Sequence, residues 1–139
     1  MPAGCAFCAI RDGTAPAAKV LDEDAALAFL DVRPLFPGHV LVVPRVHHAT
    51  LLDLPAADVG PFFAIVRRVT GAVTTAMGAE GTFVAANNVV SQSVPHLHLH
   101  VVPRTKGDGL RGFFWPRTRY ASDGEMAAVA ARLRASLIP

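Results

Sequence analysis

A chain of 139 residues is long enough for one domain with its own core and short for two. Its 52% apolar content argues against disorder, and a net charge of +2 without a basic stripe excludes the usual nucleic-acid footprint. No apolar run approaches the roughly 20 residues that cross a bilayer, so no membrane span is expected.

The start, Met1-Pro2-Ala3-Gly4-Cys5, lacks the basic and apolar segments of a signal peptide. A cytoplasmic, reducing location is the expectation, in which Cys5 and Cys8 are thiols or metal ligands rather than a structural disulfide. Cys5-Ala6-Phe7-Cys8 has the spacing of half a zinc site, and two buried thiols or a redox pair share that spacing. Arg11 to Ala18, with Gly13 and Pro16, reads as a turn-rich connector. Lys19–Leu21 and Ala25–Asp31 read as short strands turning at Asp22-Glu23-Asp24. Pro37-Gly38 marks a turn, and the β-branched run His39–Val43 is a strand stopped by Pro44.

From Pro55 to Met77, Val59, Phe62, Phe63, Val66, Val69, Val73 and Met77 recur at spacings of three and four, which predicts an amphipathic helix. Asp53 is placed to cap its start and Gly78 to stop it. Thr82–Ala86 and His96–Val102 follow as strands, the second ended by Pro103. Arg104, Lys106, Arg111, Arg117 and Arg119 form a basic edge, either merely solvated or guiding a phosphate. A last helix spans Asp123–Leu137, capped by Ser122 or Asp123. Strands outnumber helices and short turns join them, which predicts an α+β domain, residues 1–139, on an antiparallel sheet.

Alternate strand residues share a face at about 6.6–6.8 Å, so His96, His98 and His100 stack on one side while Leu97, Leu99 and Val101 face the core. A solvated outer face rarely uses three imidazoles. Two chemical readings remain: imidazoles converging on a metal ion, or one imidazole attacking an electrophile such as phosphorus. The second needs hydrogen-bonding groups nearby, and Asn87, Asn88, Ser91, Gln92 and Ser93 precede the strand.

The run Ser91-Gln92-Ser93-Val94-Pro95-His96-Leu97-His98-Leu99-His100-Val101-Val102-Pro103-Arg104 resembles the signature of the histidine triad (HIT) superfamily of nucleotide hydrolases and transferases. The likeness extends through Cys5–Cys8, Phe29–Pro34, Pro37–Pro44 and Lys106–Gly109, covering most of the chain. It departs at Val89-Val90-Ser91, which is shorter than the glycine-rich loop of many relatives and has Ser91 where glycine is frequent.

The resemblance implies that His98 attacks the α-phosphorus of a nucleotide, with its other ring nitrogen held by the main-chain carbonyl of His96. His100 would contact the phosphoryl oxygens, and His39 would complete the cluster. Asn87, Gln92 and Ser93 would bind the phosphate and leaving group, Asp31 the ribose hydroxyls, and Phe7, Ile10, Phe29, Val32 and Leu41 the base. By their residue types alone those five would be core.

Zinc-binding bacterial members imply a ligand set of Cys5, Cys8, His47 and His96, with His48 the alternative to His47. Such a zinc would be structural, and no organic cofactor is implied. The resemblance also implies a homodimer in which two five-stranded sheets join, each with one long helix and a short C-terminal helix.

The expected substrates are nucleoside 5′-phosphoramidates or dinucleoside polyphosphates. A diadenosine polyphosphate phosphorylase, a non-catalytic nucleotide-binding module and a three-histidine zinc hydrolase are the alternatives. Trp115 and the segment from Arg111 to Arg119 are read either as lying near the leaving group or as packing.

Overall fold

The computed structural model describes residues 4–110 and 117–137. They fall into two compact units, one ending at Asp108 and one beginning at Gly109. Residues 111–116, which include Trp115, lie outside the described residues.

In the first unit, strands β1 (Lys19–Asp22), β2 (Ala26–Leu30), β3 (Val40–Pro44), β4 (Gly81–Ala85) and β5 (Leu99–Arg104) form a five-stranded sheet in the order β1-β2-β3-β5-β4. Every neighbouring pair is antiparallel. Helix α1 (Ala6–Arg11) and helix α2 (Ala56–Met77) complete the unit. Together with the C-terminal helix described below, this is the α+β architecture expected from the sequence.

Strand alternation sorts the apolar residues into two clusters. Ala26, Ala28, Val40, Val42, Leu97, Leu99 and Val101 pack with the buried stripe of α2. That stripe is Phe62, Ile65, Val66, Val69 and Val73. It is narrower than the sequence pattern, since Val59 and Met77 at its margins are 40% and 45% exposed. Leu27, Phe29, Leu41 and Val43 form the second cluster with Cys5, Phe7 and Cys8 around α1.

Several expected boundaries move, each for a local reason. Helix α1 falls on the cysteine segment, where no helix was expected. It is only six residues long, too short to show periodicity, and it buries Phe7 and Cys8. Asp53 does not cap α2: it ends a 3-10 turn, Leu51–Asp53, and accepts from the backbone N–H and the hydroxyl of Thr50. Pro55 occupies the N-cap of α2. Gly78 ends α2 in the left-handed region at φ 59°.

The ladder of β5 begins at Leu99 rather than His96, because the Leu97 N–H is taken by the carbonyl of His48 at 2.7 Å. It also runs through Pro103 to Arg104. The Arg104 carbonyl accepts from Glu80 on the β4 side, so the Pro103 nitrogen faces the β3 side, where the ladder has ended at Val101. No donor is needed there.

Gly38 leads the chain into β3 at φ 94°, where an added Cβ would stand 2.6 Å from Met77 Cγ. Gly38→Ala combines backbone strain with displacement of that side chain and is expected to cost about 2–3 kcal/mol. Urea unfolding of the two proteins checks this. A midpoint shift equivalent to less than about 0.5 kcal/mol would contradict it.

In the second unit, helix α3 (Asp123–Ser136) starts where expected, with the Ser122 hydroxyl accepting from Glu125 N–H at 3.0 Å.

Candidate active site and metal centre

Two histidine systems meet at the start of β5, on the face opposite α2. The first surrounds the cysteines. Cys5 is the N-cap of α1, and its sulfur accepts from the Cys8 N–H at 3.4 Å, so one short turn presents both thiols together. Cys8 Sγ lies 3.4 Å from His47 Nδ1 and 3.6 Å from His96 Nδ1, while Cys5 Sγ is 3.5 Å from His96 Nδ1. The two Nδ1 atoms are 3.1 Å apart. All four donor atoms lie within 4.8 Å of one another and could hold a metal ion.

The fit to a tetrahedral ion can be tested on those distances. Zn–N bonds of about 2.0–2.1 Å and Zn–S bonds of about 2.3 Å give tetrahedral edges of about 3.3 Å between nitrogens and about 3.6 Å between nitrogen and sulfur. The observed edges are close to both.

The proton bookkeeping also fits. His96 Nε2–H donates to the Pro44 carbonyl at 2.9 Å, which leaves Nδ1 as a lone pair facing the sulfurs. That carbonyl is available because the β3–β5 ladder stops at Val42 and Leu99. Burial pushes the Cys8 thiol up and the His96 imidazole down to about 4, so without a cation both groups favour their neutral forms. His48 stands outside this cluster.

The second system is the histidine row. His96 and His98 are only 1% and 2% exposed, so this face of the strand is covered rather than solvated. The Phe7 and His98 rings meet in a T-shaped contact with centroids 5.1 Å apart. His98 Nδ1–H donates to the His96 carbonyl at 2.7 Å, which makes Nε2 its lone-pair nitrogen.

A similar deduction fixes the next two rings. The Leu35 N–H donates to His39 Nδ1 at 3.0 Å, so the proton of neutral His39 is on Nε2. That nitrogen sits 2.9 Å from His100 Nδ1 and donates to it, which places the His100 proton on Nε2. His98 and His100, with ring centroids 5.0 Å apart, therefore offer a lone pair and an N–H donor side by side.

Asp31 Oδ2 is 3.7 Å from His39 Nε2. Asp31, His39 and His100 have the spacing to hold a metal too. The Leu35 amide, however, commits His39 Nε2 to a proton, which it donates to His100 with the Asp31 carboxylate close by.

Burial lowers the His100 pKa to about 4, with His98 and His39 adding to the effect, and burial also lowers that of His39. Both folded-state values lie below the unfolded value near 6.5, so between about pH 6.5 and 4 the unfolded chain binds protons that the native state does not. Stability is full above that window and falls on acidification, by about 3 kcal/mol at pH 4 for His100 alone. Urea midpoints against pH for wild type and His100→Asn check it. Parallel curves would contradict the assignment.

The polar loop is braced internally. Asn87 Nδ2 donates to the Ser91 carbonyl at 3.2 Å, and Asn88 Oδ1 accepts from Leu51 N–H at 2.8 Å. Gln92 accepts from Val89 N–H at 3.0 Å and donates to the Ala49 carbonyl at 2.6 Å, while Ser93 is exposed. Ser91 has φ 60° and Val89 φ 69°, so the serine noted in a glycine position does adopt the conformation glycine favours.

Of the expected base-slot residues, Phe7, Phe29 and Leu41 share one buried cluster with Ile10 packed against it, and Val32 stands apart at 89% exposed. Two groups escaped the sequence reading: the Leu35 N–H and the Pro44 carbonyl. Both are main-chain atoms, and no residue identity marks them.

The chain belongs to the HIT family: the profile described as the HIT domain matches residues 12–107. An uncharacterised HIT-like protein of Mycobacterium tuberculosis is 40% identical over 108 residues, covering 76% of this chain and 75% of its own. An adenosine 5′-monophosphoramidase of Schizosaccharomyces pombe is 34% identical over 114 residues, covering 81% and 83%. Among solved structures, a zinc-bound histidine triad family protein from Mycobacterium smegmatis superimposes with a TM-score of 0.73 at 34% identity, covering 96% of this chain and 98% of that one. Among the described residues no helix is long and apolar enough to cross a membrane.

Proposed function

We propose that this protein is a nucleotide hydrolase or nucleotidyl transferase acting at the α-phosphorus of nucleoside 5′-phosphoramidates or dinucleoside polyphosphates. The observation that carries the reading is the His98 ring, whose Nδ1–H is held by the His96 carbonyl at 2.7 Å so that Nε2 presents its lone pair. In the first displacement His98 Nε2 bonds to phosphorus and the leaving group departs with the electron pair of the broken bond. In the second, water or phosphate attacks the same phosphorus and frees His98.

His100, whose Nε2 carries a proton, donates to the phosphoryl oxygens. Asn87, Gln92 and Ser93 bind the phosphate and leaving group, with the Gln92 amide exchanging its loop partners for substrate. Asp31 accepts from the ribose hydroxyls, and Phe7, Ile10, Phe29, Val32 and Leu41 receive the base. The phosphoramidase name of the Schizosaccharomyces pombe relative favours an amine as leaving group.

Cys5, Cys8, His47 and His96 hold a structural zinc. Four sulfur and nitrogen ligands fill a tetrahedron and leave no position for substrate, so the ion serves to fix the chain rather than to polarise phosphate. The protein works as a homodimer: β4 is an edge strand of the sheet, and a second copy added there would extend it.

The test is turnover of a panel of adenosine phosphoramidates and diadenosine polyphosphates, with water or phosphate as acceptor. Hydrolysis or phosphorolysis with an adenylylated protein intermediate is expected. Binding of AMP without turnover of any panel member would favour a binding module instead.

A further inference from the structure

Asp31 is placed for more than a sugar. Its Oδ1 accepts from the Arg33 N–H at 2.9 Å, and its own N–H donates to the His39 carbonyl at 2.9 Å. These two bonds aim Oδ2 at His39 Nε2, 3.7 Å away, with side-chain exposures of 20% for Asp31 and 3% for His39. The same Nε2 faces His100 Nδ1 at 2.9 Å. One carboxylate therefore stands behind both imidazoles, as an aspartate stands behind a catalytic histidine in hydrolase triads.

We propose that Asp31 is an electrostatic positioning residue for the His39–His100 pair, holding a proton on it while the leaving group departs. The inference rests on the nucleotide-transfer reading above.

Neutral His100 cannot give up its Nε2 proton without becoming an imidazolate. As the anionic phosphoryl group arrives, the pair takes one proton from solvent onto His100 Nδ1, and the His39 Nε2–H displaced from that nitrogen turns to Asp31 Oδ2. His98 Nε2 then bonds to phosphorus, the P–N electron pair goes to the amine nitrogen, and that nitrogen takes the His100 Nε2 proton. The pair is left neutral. Burial opposes this proton most on both rings, His98 and His39 oppose it further on His100, and Asp31 is the group that favours it on either ring. Ribose hydroxyls donating to Asp31 leave its negative charge in place, so the two roles are compatible.

Asp31→Asn separates them, because it removes the charge and keeps an oxygen acceptor. The variant is compared with wild type on adenylyl substrates that differ in two ways: alkylamine or p-nitrophenolate as leaving group, and ribose or 2′,3′-dideoxyribose as sugar. The amine needs a proton to leave and p-nitrophenolate does not.

The expected result is a loss of kcat about tenfold greater for the amine than for p-nitrophenolate, and the same differential in the dideoxy series, where no ribose contact exists. Equal losses for both leaving groups, or a differential that vanishes with dideoxyribose, would overturn the proposal. Should wild type turn over nothing, the transfer reading fails on its own. NMR titration of the His39 and His100 rings then decides the electrostatic part: lowered midpoints in Asp31→Asn support it, and unchanged ones end it.

Discussion

Replacing His98 with alanine should slow nucleotidyl transfer by at least ~10⁴-fold while leaving AMP affinity within about threefold, because the proposed binding groups all lie elsewhere. The size follows from its role: without the ring no atom carries the lone pair beside His100, and the remaining donors stabilise charge but cannot form the covalent intermediate. Alanine also leaves the His96 carbonyl without its donor and opens a void beside Phe7, at a cost of about 2–4 kcal/mol.

His98→Asn guards against confusing that instability with lost chemistry, since its amide can still donate to the His96 carbonyl. Rapid-quench measurements on an adenosine phosphoramidate, with mass spectrometry of the protein, should show adenylylated wild type and no adduct on either variant. Wild-type rates in His98→Asn, with adenylyl groups trapped on another residue, would transfer the nucleophilic role away from His98.

Removing the metal should have the next largest effect. Helix α1 has six residues and is far below the length that is stable alone, so its place depends on the packing of Phe7 and Cys8 and on the proposed metal at Cys5, Cys8, His47 and His96. With thiols and imidazoles left unbridged, α1 is expected to loosen and uncover Phe29 and Leu41. A loss of about 3–5 kcal/mol corresponds to a fall in Tm of about 10 °C or more.

Activity should fall with it, because His96 would have two tasks: its ring belongs to the proposed ligand set, and its carbonyl holds His98 Nδ1. Chelation followed by calorimetry, metal analysis and thiol titration checks this, and Cys8→Ser should reproduce the thermal effect. Less than about a tenth of an equivalent of zinc in the purified protein, with both thiols titrating freely, would sink the centre altogether.

The strands and the two longer helices were legible because their patterns are local. Val40 to Val43 is β-branched or leucine at every position, and Phe62, Val66, Val69 and Val73 repeat at the helical period. Helix α1 was not legible, since a single turn has no period and its stability comes from packing against β2 and β3. The early ladder end at Leu99 was hidden for a related reason. Sequence alternation shows which side a residue faces, but which backbone donor reaches which acceptor is a three-dimensional matter, and here His48 claims the Leu97 N–H. Likewise Asp53, a suitable cap by type, is used by Thr50 one turn too early.

For the site, the sequence by itself determined the kit: three histidines on one face, a cysteine pair, a spare histidine and a polar loop. Side-chain chemistry and a period of two are encoded residue by residue. The family resemblance implied how that kit divides, and only the tertiary structure supplied the geometry for it. It brought His47 and His96 to the cysteines across 39 to 91 residues of chain, and covered the histidine face with Phe7. It also set the tautomers, through the Pro44 and His96 carbonyls and the Leu35 N–H. The His96 carbonyl was implied by the family resemblance, whereas the Pro44 carbonyl and the Leu35 N–H are main-chain groups that no residue identity marks. Which imidazole nitrogen keeps its lone pair depends on where the fold has left a carbonyl or an amide unclaimed.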